Sequence, residues 1–306
     1  MSPPAGLSRL VAAAVLAAAL TGGGCAGRYE ESATEDLRLP GLPRLNIRLD
    51  EGSVRITERI GSRIEMQIRR TAAAPSAETA RSLLDAVVVE AAEDGEAVEI
   101  RGRRTGGFAW RASEELRLSL DVSVPPGTTL EVRTGAGRIV LAGLTGPVLA
   151  VSMDGRITAE GLRSPDSEDT APIHLRTAAG RIEGEDIEGR IHAETGEGSI
   201  RLTGRLVEVT AWTGDGAVEV ETLPGNSVTD GDWRLRSADG RVSLRLAEGT
   251  DAEVFVFGRR LSAEESEALG WTELGPTATA TVGSGQGARI RVDAEDGARI
   301  RLQRAP

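Results

Sequence analysis

The sequence of 306 residues contains no lysine, a single cysteine, only two histidines and few aromatic residues. One cysteine excludes a disulfide-linked fold, and with two histidines it nearly excludes a structural zinc site. The absence of lysine excludes every enzyme that depends on one. The formal net charge is −11, with 47 acidic residues against 36 basic residues, all of them arginine. That sign, without a basic stripe or stacking aromatics, argues against nucleic-acid binding.

The N-terminal segment predicts export. Residues 10–20 form an apolar run that is shorter than the roughly 20 residues needed to span a bilayer, and the run suits the core of a signal peptide. Small residues follow, and then Cys25 stands where bacterial lipoproteins carry their lipidated cysteine. Ordinary secretion, with cleavage after Ala26, is the alternative. We therefore expect residues 1–25 to be a signal peptide with a lipidation cysteine, Cys25, and residues 26–44 to be a solvated tether.

A repeat of about 18 residues runs through the middle of the chain. Its marker is a glycine followed two residues later by isoleucine or valine, found at Gly137, Gly155, Gly180, Gly198, Gly216 and Gly240. The gaps that end at Gly180 and Gly240 are longer than the others, because they contain turn-rich insertions. Apolar and polar residues alternate on both sides of each glycine, which indicates two short strands per repeat. A threonine or serine stands three residues before each glycine, where we expect stacked hydroxyls to hydrogen-bond along the ladder.

These repeats predict an all-β protein, because so short a unit cannot enclose a core and must share one with its neighbours. We expect a parallel β-solenoid whose rungs cover residues 128–248. Open ends of such a stack invite aggregation and need caps. A β-rich N-terminal cap is expected over residues 45–127 and a C-terminal β cap over residues 249–306.

The caps have their own local signals. A short helix is expected over residues 77–86, with Ser76 as its N-cap after a proline. A β-hairpin is expected to turn at Asp94-Gly95. Gly52 and Gly297 mark degenerate copies of the repeat, so we expect the caps to contain divergent rungs.

The run Leu120-Asp-Val-Ser-Val-Pro-Pro-Gly-Thr-Thr-Leu-Glu-Val-Arg-Thr-Gly-Ala-Gly-Arg-Ile139 resembles a widespread bacterial family of unknown function described as putative adhesins. In that family a strand ending in proline and glycine leads into repeated Thr-x-x-Gly-x-Ile rungs, and residues 177–182, 195–200 and 213–218 continue this pattern. The resemblance covers roughly residues 45–305. It implies an exported, envelope-associated β-solenoid and carries over no catalytic or binding residues.

The two histidines form the most pointed candidate site. His174 and His192 lie one period apart in the same column and alternate with apolar residues, so we expect both to face outward on adjacent rungs, about 5 Å apart. Two imidazoles could share a metal ion if carboxylates or water completed the shell. An ordinary outer ladder is the simpler interpretation, because two ligands make a weak site.

Other outward positions suggest polar contacts. Trp212 is the one aromatic residue of the rungs that is expected to face outward, since Trp233 falls in a core column. Ladders of arginine (Arg133, Arg176 and Arg236) and of acidic residues are expected on the outer faces. Such faces would give salt-sensitive recognition.

Acidic residues often precede the repeat glycine: Asp154, Glu197, Asp215, Asp239 and, in the C-terminal copy, Asp296. Stacked acids could bind calcium, yet the nine-residue pattern of calcium-binding repeats is absent, and Asp-Gly is an ordinary turn pair. Glu197 and Asp215 could also resemble the carboxylate pair of a retaining glycosidase, about 5 Å apart. Any acidic ladder gives that spacing, so the pair indicates no enzyme by itself.

The expected function is therefore non-catalytic, without cofactor or metal. We expect an exported, adhesin-like protein, lipid-anchored in the cell envelope at the outer membrane or cell surface, or otherwise secreted or periplasmic. Its partner would be an envelope or host protein or glycan, with surface contacts from His174, His192, Arg176 and Trp212, and with the membrane reached only through the lipid anchor. A polysaccharide-active enzyme of the β-helix type and a periplasmic scaffold or signalling partner are the alternatives.

Overall fold

The structure, a computed structural model, describes residues 29–105, 114–164, 173–223, 231–247, 249–257, 270–274, 277–294 and 298–303. Over these ranges the chain is all-β with one α-helix, and its strands form a large, mostly parallel sheet, which confirms the predicted class. None of the helical residues described forms a helix long and apolar enough to cross a membrane. The predicted signal peptide and Cys25 lie outside the described residues, as do most of the two insertions. The chain divides into two compact units, residues 1–140 and 141–306.

The first unit combines parallel and antiparallel pairing. Its elements are β1 (Tyr29–Pro40), β2 (Arg44–Glu51), β3 (Ser53–Glu58), β4 (Arg63–Ala74), α1 (Ala77–Asp85), β5 (Val87–Asp94), β6 (Ala97–Arg104), β7 (Glu115–Val124) and β8 (Thr129–Ala136), and β9 (Ile139–Ala142) crosses its boundary. Strand β2 lies between β6 and β8 and runs parallel to both. Strand β5 forms the predicted hairpin with β6. Strand β7 lies between β3, which is parallel, and β4, which is antiparallel.

Strand β1 corrects the prediction of a tether over residues 26–44. The whole strand pairs antiparallel with β4, and Leu37 and Leu39 enter the core. The acids that suggested a solvated segment form ion pairs instead, as in the 2.9 Å contact between Glu31 and the Arg81 guanidinium of α1. Pro40 is the last residue of the strand, where a missing N–H is tolerated.

Helix α1 forms as predicted. The Ser76 hydroxyl accepts a hydrogen bond from the Thr79 backbone N–H at 3.1 Å, which satisfies one of the free donors of the first turn. The buried face of the helix packs on β4, in a cluster that contains Ala72, Ala74, Ala80, Leu83 and Leu84. The helix therefore covers apolar surface at one end of this unit.

Strands β2 and β3 form the divergent rung predicted at Gly52. Register pairs Ile47 with Val132, and the Gly52 N–H donates to the Ala136 carbonyl at 2.8 Å. Gly52 thus stands opposite Gly137, the first glycine of the repeat. The alternation around Gly52 has the same buried face as the regular copies.

The second unit contains the stacked repeats. Its strands are β10 (Val148–Asp154), β11 (Ile157–Glu160), β12 (Ile173–Ala179), β13 (Ile182–Glu197), β14 (Ile200–Asp215), β15 (Val218–Thr222), β16 (Asp232–Asp239), β17 (Val242–Ala247), β18 (Ala252–Phe257), β19 (Gly270–Leu274), β20 (Thr277–Val282), β21 (Ala288–Ala294) and β22 (Ala298–Gln303). The strands before each glycine stack in parallel in the order β10, β12, β13, β14, β16. Those after each glycine stack as β11, β13, β14, β15, β17.

The register reproduces the predicted columns. Ile173 pairs with Ile191, and Ile191 pairs in turn with Val209, so each partner lies one period further along the chain. Strands β13 and β14 have 16 residues each and contribute to both stacks, so one repeat passes into the next without a break. The inward side chains of both stacks are almost completely buried.

The threonine column bonds differently from the prediction. Four of its hydroxyls donate to the main-chain carbonyl of the glycine in the preceding rung: Thr177 to Gly155 (3.1 Å), Thr195 to Gly180 (2.9 Å), Thr213 to Gly198 (2.8 Å) and Ser237 to Gly216 (2.8 Å). These four hydroxyls therefore bond to the backbone and not along the ladder. At the turn the glycine carbonyl points toward the next rung, and a buried hydroxyl that meets a carbonyl satisfies both groups.

The C-terminal strands enter the stack out of chain order. Strand β21 pairs in parallel with β16 on one side and with β18 on the other, so the later strand lies between two earlier ones. Strand β22 continues the second stack on β17. These pairings agree with a divergent C-terminal rung, although Gly297 itself lies outside the described residues. The antiparallel strands β20 and β19, which follow β18 outward, were not predicted.

Candidate functional site

Two outward faces follow from the alternation in the second unit. The first-strand face consists of the outward side chains of the stack before the glycines, from β12 to β21: His174, Arg176, His192, Glu194, Thr210, Trp212, Asp232, Arg234, Arg236, Arg289, Arg291 and Asp293. The second-strand face consists of the outward side chains after the glycines: Glu183, Glu185, Arg201, Thr203, Glu219, Glu221, Ser243 and Arg245. Every residue assigned to surface contact from the sequence lies on the first-strand face.

The histidine pair forms as predicted. His174 and His192 pair in register, and their rings stack with centroids 5.2 Å apart and planes inclined by 23°. Both are half-buried between fully buried neighbours. Desolvation lowers the pKa of His174, and the adjacent His192 lowers it further. The two rings therefore form a contact between two rungs that protonation of His174 would disturb.

The lowered pKa of His174 makes the folded protein sensitive to acid. The ordinary histidine value is 6.5, and the folded protein accepts this proton less readily than the unfolded chain does. The contribution of neutral His174 to the free energy of unfolding is therefore fully present above pH 6.5. It decreases as pH falls below that value toward the lower pKa of the folded state. We expect the free energy of unfolding in urea to decrease between about pH 7.5 and pH 5.5, and to decrease less in His174→Thr.

The control for this measurement is the residue one rung further along. Thr210 occupies the same column next to His192, so threonine is compatible with this position. An equal loss of stability in the wild type and in His174→Thr over that pH range would contradict the assignment.

The second column of the face corrects the predicted arginine ladder. In register, Arg176 is followed by Glu194, then Trp212, then Arg236. Arg176 forms an ion pair with Glu194 at 3.5 Å. The column therefore mixes basic, acidic and aromatic side chains and does not repeat arginine. The repeat requires only that residues in this column face outward, and it does not require that they have the same charge. Arg133 lies in the first unit, paired with Glu131 at 2.8 Å.

The end of the face near β16 and β21 is rich in exposed arginine. Arg234 pairs in register with Arg291, and Arg289 lies on the same strand as Arg291. Arg291 contacts Asp293 at 3.0 Å, and the hydrogen bond between them raises the pKa of Arg291. The Arg291 guanidinium also lies 4.4 Å from the centre of the Phe257 ring. Sequence reasoning missed Arg289 and Arg291, although the apolar alternation over residues 288–292 could have aligned them with β16.

Both arginines of the second-strand face are held in close ion pairs. Arg201 contacts Glu219 at 2.6 Å, and Arg245 contacts Glu221 at 3.1 Å. The hydrogen bond to Glu219 raises the pKa of Arg201. A shallow depression of about 410 Å³ lies among these side chains.

The acidic positions before the glycines are exposed in the structure. Glu197 pairs with Asp215, and Asp215 with Asp239, while Ala179 separates Asp154 from this series. Among the described residues, no three histidine, cysteine or acidic side chains are grouped so that they could hold a metal ion. Asp296 lies outside the described residues. The geometry therefore places a ladder of carboxylates at the turns and assembles no described metal site.

Comparisons with known proteins add little to this geometry. No family model matches the chain, and no curated protein matches it. The fold is similar to crystal structures of a putative adhesin from Bacteroides fragilis (TM-score 0.41, 10% identity, 89% of this chain and 97% of that one) and from Parabacteroides distasonis (0.39, 8%, 89% and 97%). A third, a putative adhesin from Parabacteroides merdae, has a TM-score of 0.38 at 8% identity and covers 89% of this chain and 96% of that one. At these TM-scores the likenesses carry no argument for this chain.

Proposed function

We propose that the protein is a non-catalytic, adhesin-like β-solenoid, exported and lipid-anchored through Cys25, that displays a rigid polar surface to an envelope or host protein or glycan. The observation that carries this proposal is the parallel register of β12, β13, β14 and β16. That register fixes outward side chains in straight columns along the first-strand face.

The solenoid is supported by the pairing of each repeat with the next one, at an offset of 18 residues from β12 to β14 in the first stack and from β13 to β15 in the second, apart from the bulged segment of β13 and β14. A parallel neighbour one repeat away, in both stacks, is the pairing that a coiled chain produces. The long strands β13 and β14 also join the second strand of one rung to the first strand of the next. Each rung would then advance the coil by about 4.8 Å, the spacing of neighbouring strands.

Such a surface would act by rigid display. Its side chains are carried on paired strands, so little backbone freedom is lost when a ligand binds. Aromatic anchors are few, so single contacts would be weak, and several copies on one cell would bind by avidity. His174, His192, Arg176 and Trp212 are the contacts we assign from the sequence, and all four lie on this face.

The test is protease shaving of intact cells that produce the protein with an epitope in the β5–β6 turn. Gly95 in that turn has open space around it, and exposed turns tolerate insertions. We expect protease to remove the epitope from whole cells. A Cys25→Ala variant is the matched control, and we expect it to leave the membrane fraction because it cannot be lipidated.

Three results would contradict separate parts of this proposal. Protection of the epitope until the envelope is broken would overturn surface adhesion and favour a periplasmic scaffold or signalling partner. Membrane retention of Cys25→Ala would overturn the lipid anchor. Turnover of an acidic polysaccharide that Glu197→Gln abolishes would overturn the non-catalytic assignment.

A further inference from the structure

The first-strand face ends in a patch of positive charge. We call this the arginine patch: Thr210, Trp212, Asp232, Arg234, Arg236, Arg289, Arg291 and Asp293, on β14, β16 and β21. It contains four arginines against two aspartates, with Glu253 of β18 across from Arg289 at its border, whereas the second-strand face contains four glutamates against two arginines. The whole protein carries −11. A local excess of positive charge on an acidic protein would attract an anion and orient its approach.

Arg291 is engaged by Asp293, whereas the other three arginines of the patch lack an ion-pair partner among the described residues. Arg234, Arg236 and Arg289 are exposed, and none of them has a carboxylate of a described residue within 4.0 Å. The ion pairs of Arg201 and Arg245 on the second-strand face show the opposite arrangement. In this part of the patch the guanidinium donors therefore face solvent.

Placing arginines side by side is unfavourable unless something else balances them. Arg234 lies directly across from Arg291 in the register, while the flanking pairs, Asp232 with Arg289 and Arg236 with Asp293, have opposite charges. Like charges directly opposite each other destabilise a pair of strands. Asp293 does not relieve Arg234, because it is engaged by Arg291 at 3.0 Å. A bound anion would remove this repulsion.

Trp212 adds an apolar contact at the edge of the charged groups. Its indole is half-buried and pairs in register with Arg236. Aromatic side chains offer a large contact area at small entropic cost, and a guanidinium matches a carboxylate or sulfate through two parallel hydrogen bonds. The combination suits a ligand with an apolar ring face and acidic substituents, which describes an acidic sugar.

The surroundings of the patch disfavour a peptide. Strand β16 is already paired on both sides, with β14 and with β21, so no free edge is available there for an added peptide strand. Its outward side chains between Asp232 and Arg236 are charged and exposed, and a peptide helix would need an apolar groove. Arg234 and Arg291 instead lie on adjacent strands about 4.8 Å apart, and Arg236 and Arg289 lie beside them on the same two strands, so the arginines are grouped at a spacing that suits an extended polymer.

We propose that the arginine patch binds an anionic polysaccharide, a chain bearing carboxylate or sulfate groups. This proposal rests on the proposed display function and names the class of ligand that the displayed face takes. Arg234, Arg236 and Arg289 bind the acidic groups, and Trp212 packs against a sugar ring.

The test measures binding of the purified full chain to heparin, to polygalacturonate and to neutral dextran, at low and high salt. We expect binding to one or both acidic polymers, weaker at high salt, and none to dextran. The double variant Arg234→Ser, Arg236→Ser should lose about tenfold or more in affinity, as expected when charge-assisted hydrogen bonds are removed. Trp212→Thr should lose about threefold to tenfold in affinity at either salt concentration.

The matched control is the double variant Arg201→Ser, Arg245→Ser, which changes the net charge equally on the second-strand face. We expect its affinity to stay within about twofold of the wild type, since only screened long-range attraction changes. Thermal unfolding of all variants shows whether the fold is kept.

The possible results separate this proposal from the display function. No binding to either acidic polymer, or equal loss in both double variants, would overturn the polysaccharide site. Equally tight binding of poly-glutamate that Trp212→Thr leaves unchanged would overturn it in favour of an acidic polypeptide. Either result together with surface exposure in the shaving experiment leaves the display function standing, whereas protection from protease removes that function without changing the binding data.

Discussion

Replacing Gly198 by alanine should destabilise the protein by ~3 kcal/mol or more. A Cβ at this position would lie 2.2 Å from the Gly180 carbonyl oxygen of the preceding rung, and the backbone φ of +137° is one that L side chains rarely adopt. The two rungs must then separate, which also weakens the hydrogen bond from the Thr195 hydroxyl to the same Gly180 carbonyl. Urea unfolding followed by circular dichroism measures the loss.

Two control variants divide this effect into its causes. Gly180→Ala meets the Gly155 carbonyl at 2.2 Å without the positive φ, so it isolates the close approach, at about 2 kcal/mol. Gly143→Ala has a φ of +64° and open space around the new Cβ, so it isolates the backbone strain, at about 1 kcal/mol. If Gly198→Ala and Gly143→Ala lost equal stability, the close approach of the rungs would not matter.

Replacing Trp233 by alanine should cost about 3–5 kcal/mol, since this is the largest fully buried side chain described. The indole fills the core column of its rung, and its N–H donates to the Val207 carbonyl at 2.9 Å. Val207 is the extra residue of a bulge, because Gly189 pairs with Leu206 and Arg190 pairs with Glu208. The indole N–H thus donates to the carbonyl of the residue that has no partner in the register of β13 and β14.

Trp212→Ala is the matched control, since this tryptophan is in the same stack and faces outward. We expect it to lose about 1 kcal/mol or less. Trp233→Phe keeps most of the volume and removes the donor, so it should lose about 1–3 kcal/mol. Equal losses in Trp233→Ala and Trp212→Ala would show that the column around Trp233 is not packed as described.

The repeats could be predicted from the sequence because one physical constraint recurs in each copy. At Gly180, Gly198 and Gly216 the backbone of the preceding rung approaches too closely for any side chain, so glycine marks the turn. Alternation then fixes which residues are buried, and register follows because a slip by one residue would expose the core face. Trp233 could be assigned to the core from its column alone.

Other features could not be predicted, because they depend on partners distant in sequence. The charges of residues 29–36 are typical of a solvated segment, and only the folded structure shows that Glu35 meets Arg70 of β4 and that Glu31 meets Arg81 of α1. The threonine hydroxyls bond to carbonyls because the turn aims the glycine oxygen at the next rung. That direction is set by backbone angles that a column of residue types does not specify.

Part of the candidate site could be predicted from the period of the repeat. His174 and His192 share a column of the repeat, so their contact follows from the period alone. The arginine patch requires β21 to lie on β16, where Trp233 pairs with Ile290 across a separation that is not a multiple of the period. The 18-residue period alone therefore does not give this pairing, although the degenerate copy at Gly297 has Ile290 seven residues before its glycine, in the column of Trp233.

The position of β21 between β16 and β18 imposes an order on folding. A chain that is made from its N-terminus can add each regular rung to the last as soon as that rung has been made, but β16 must wait for residues 288–294. Until then its edge is unpaired and able to join a strand of another molecule. The stack therefore closes late, when β21 takes its place beside Trp233, and a chain cut short before residue 288 would keep an adhesive end.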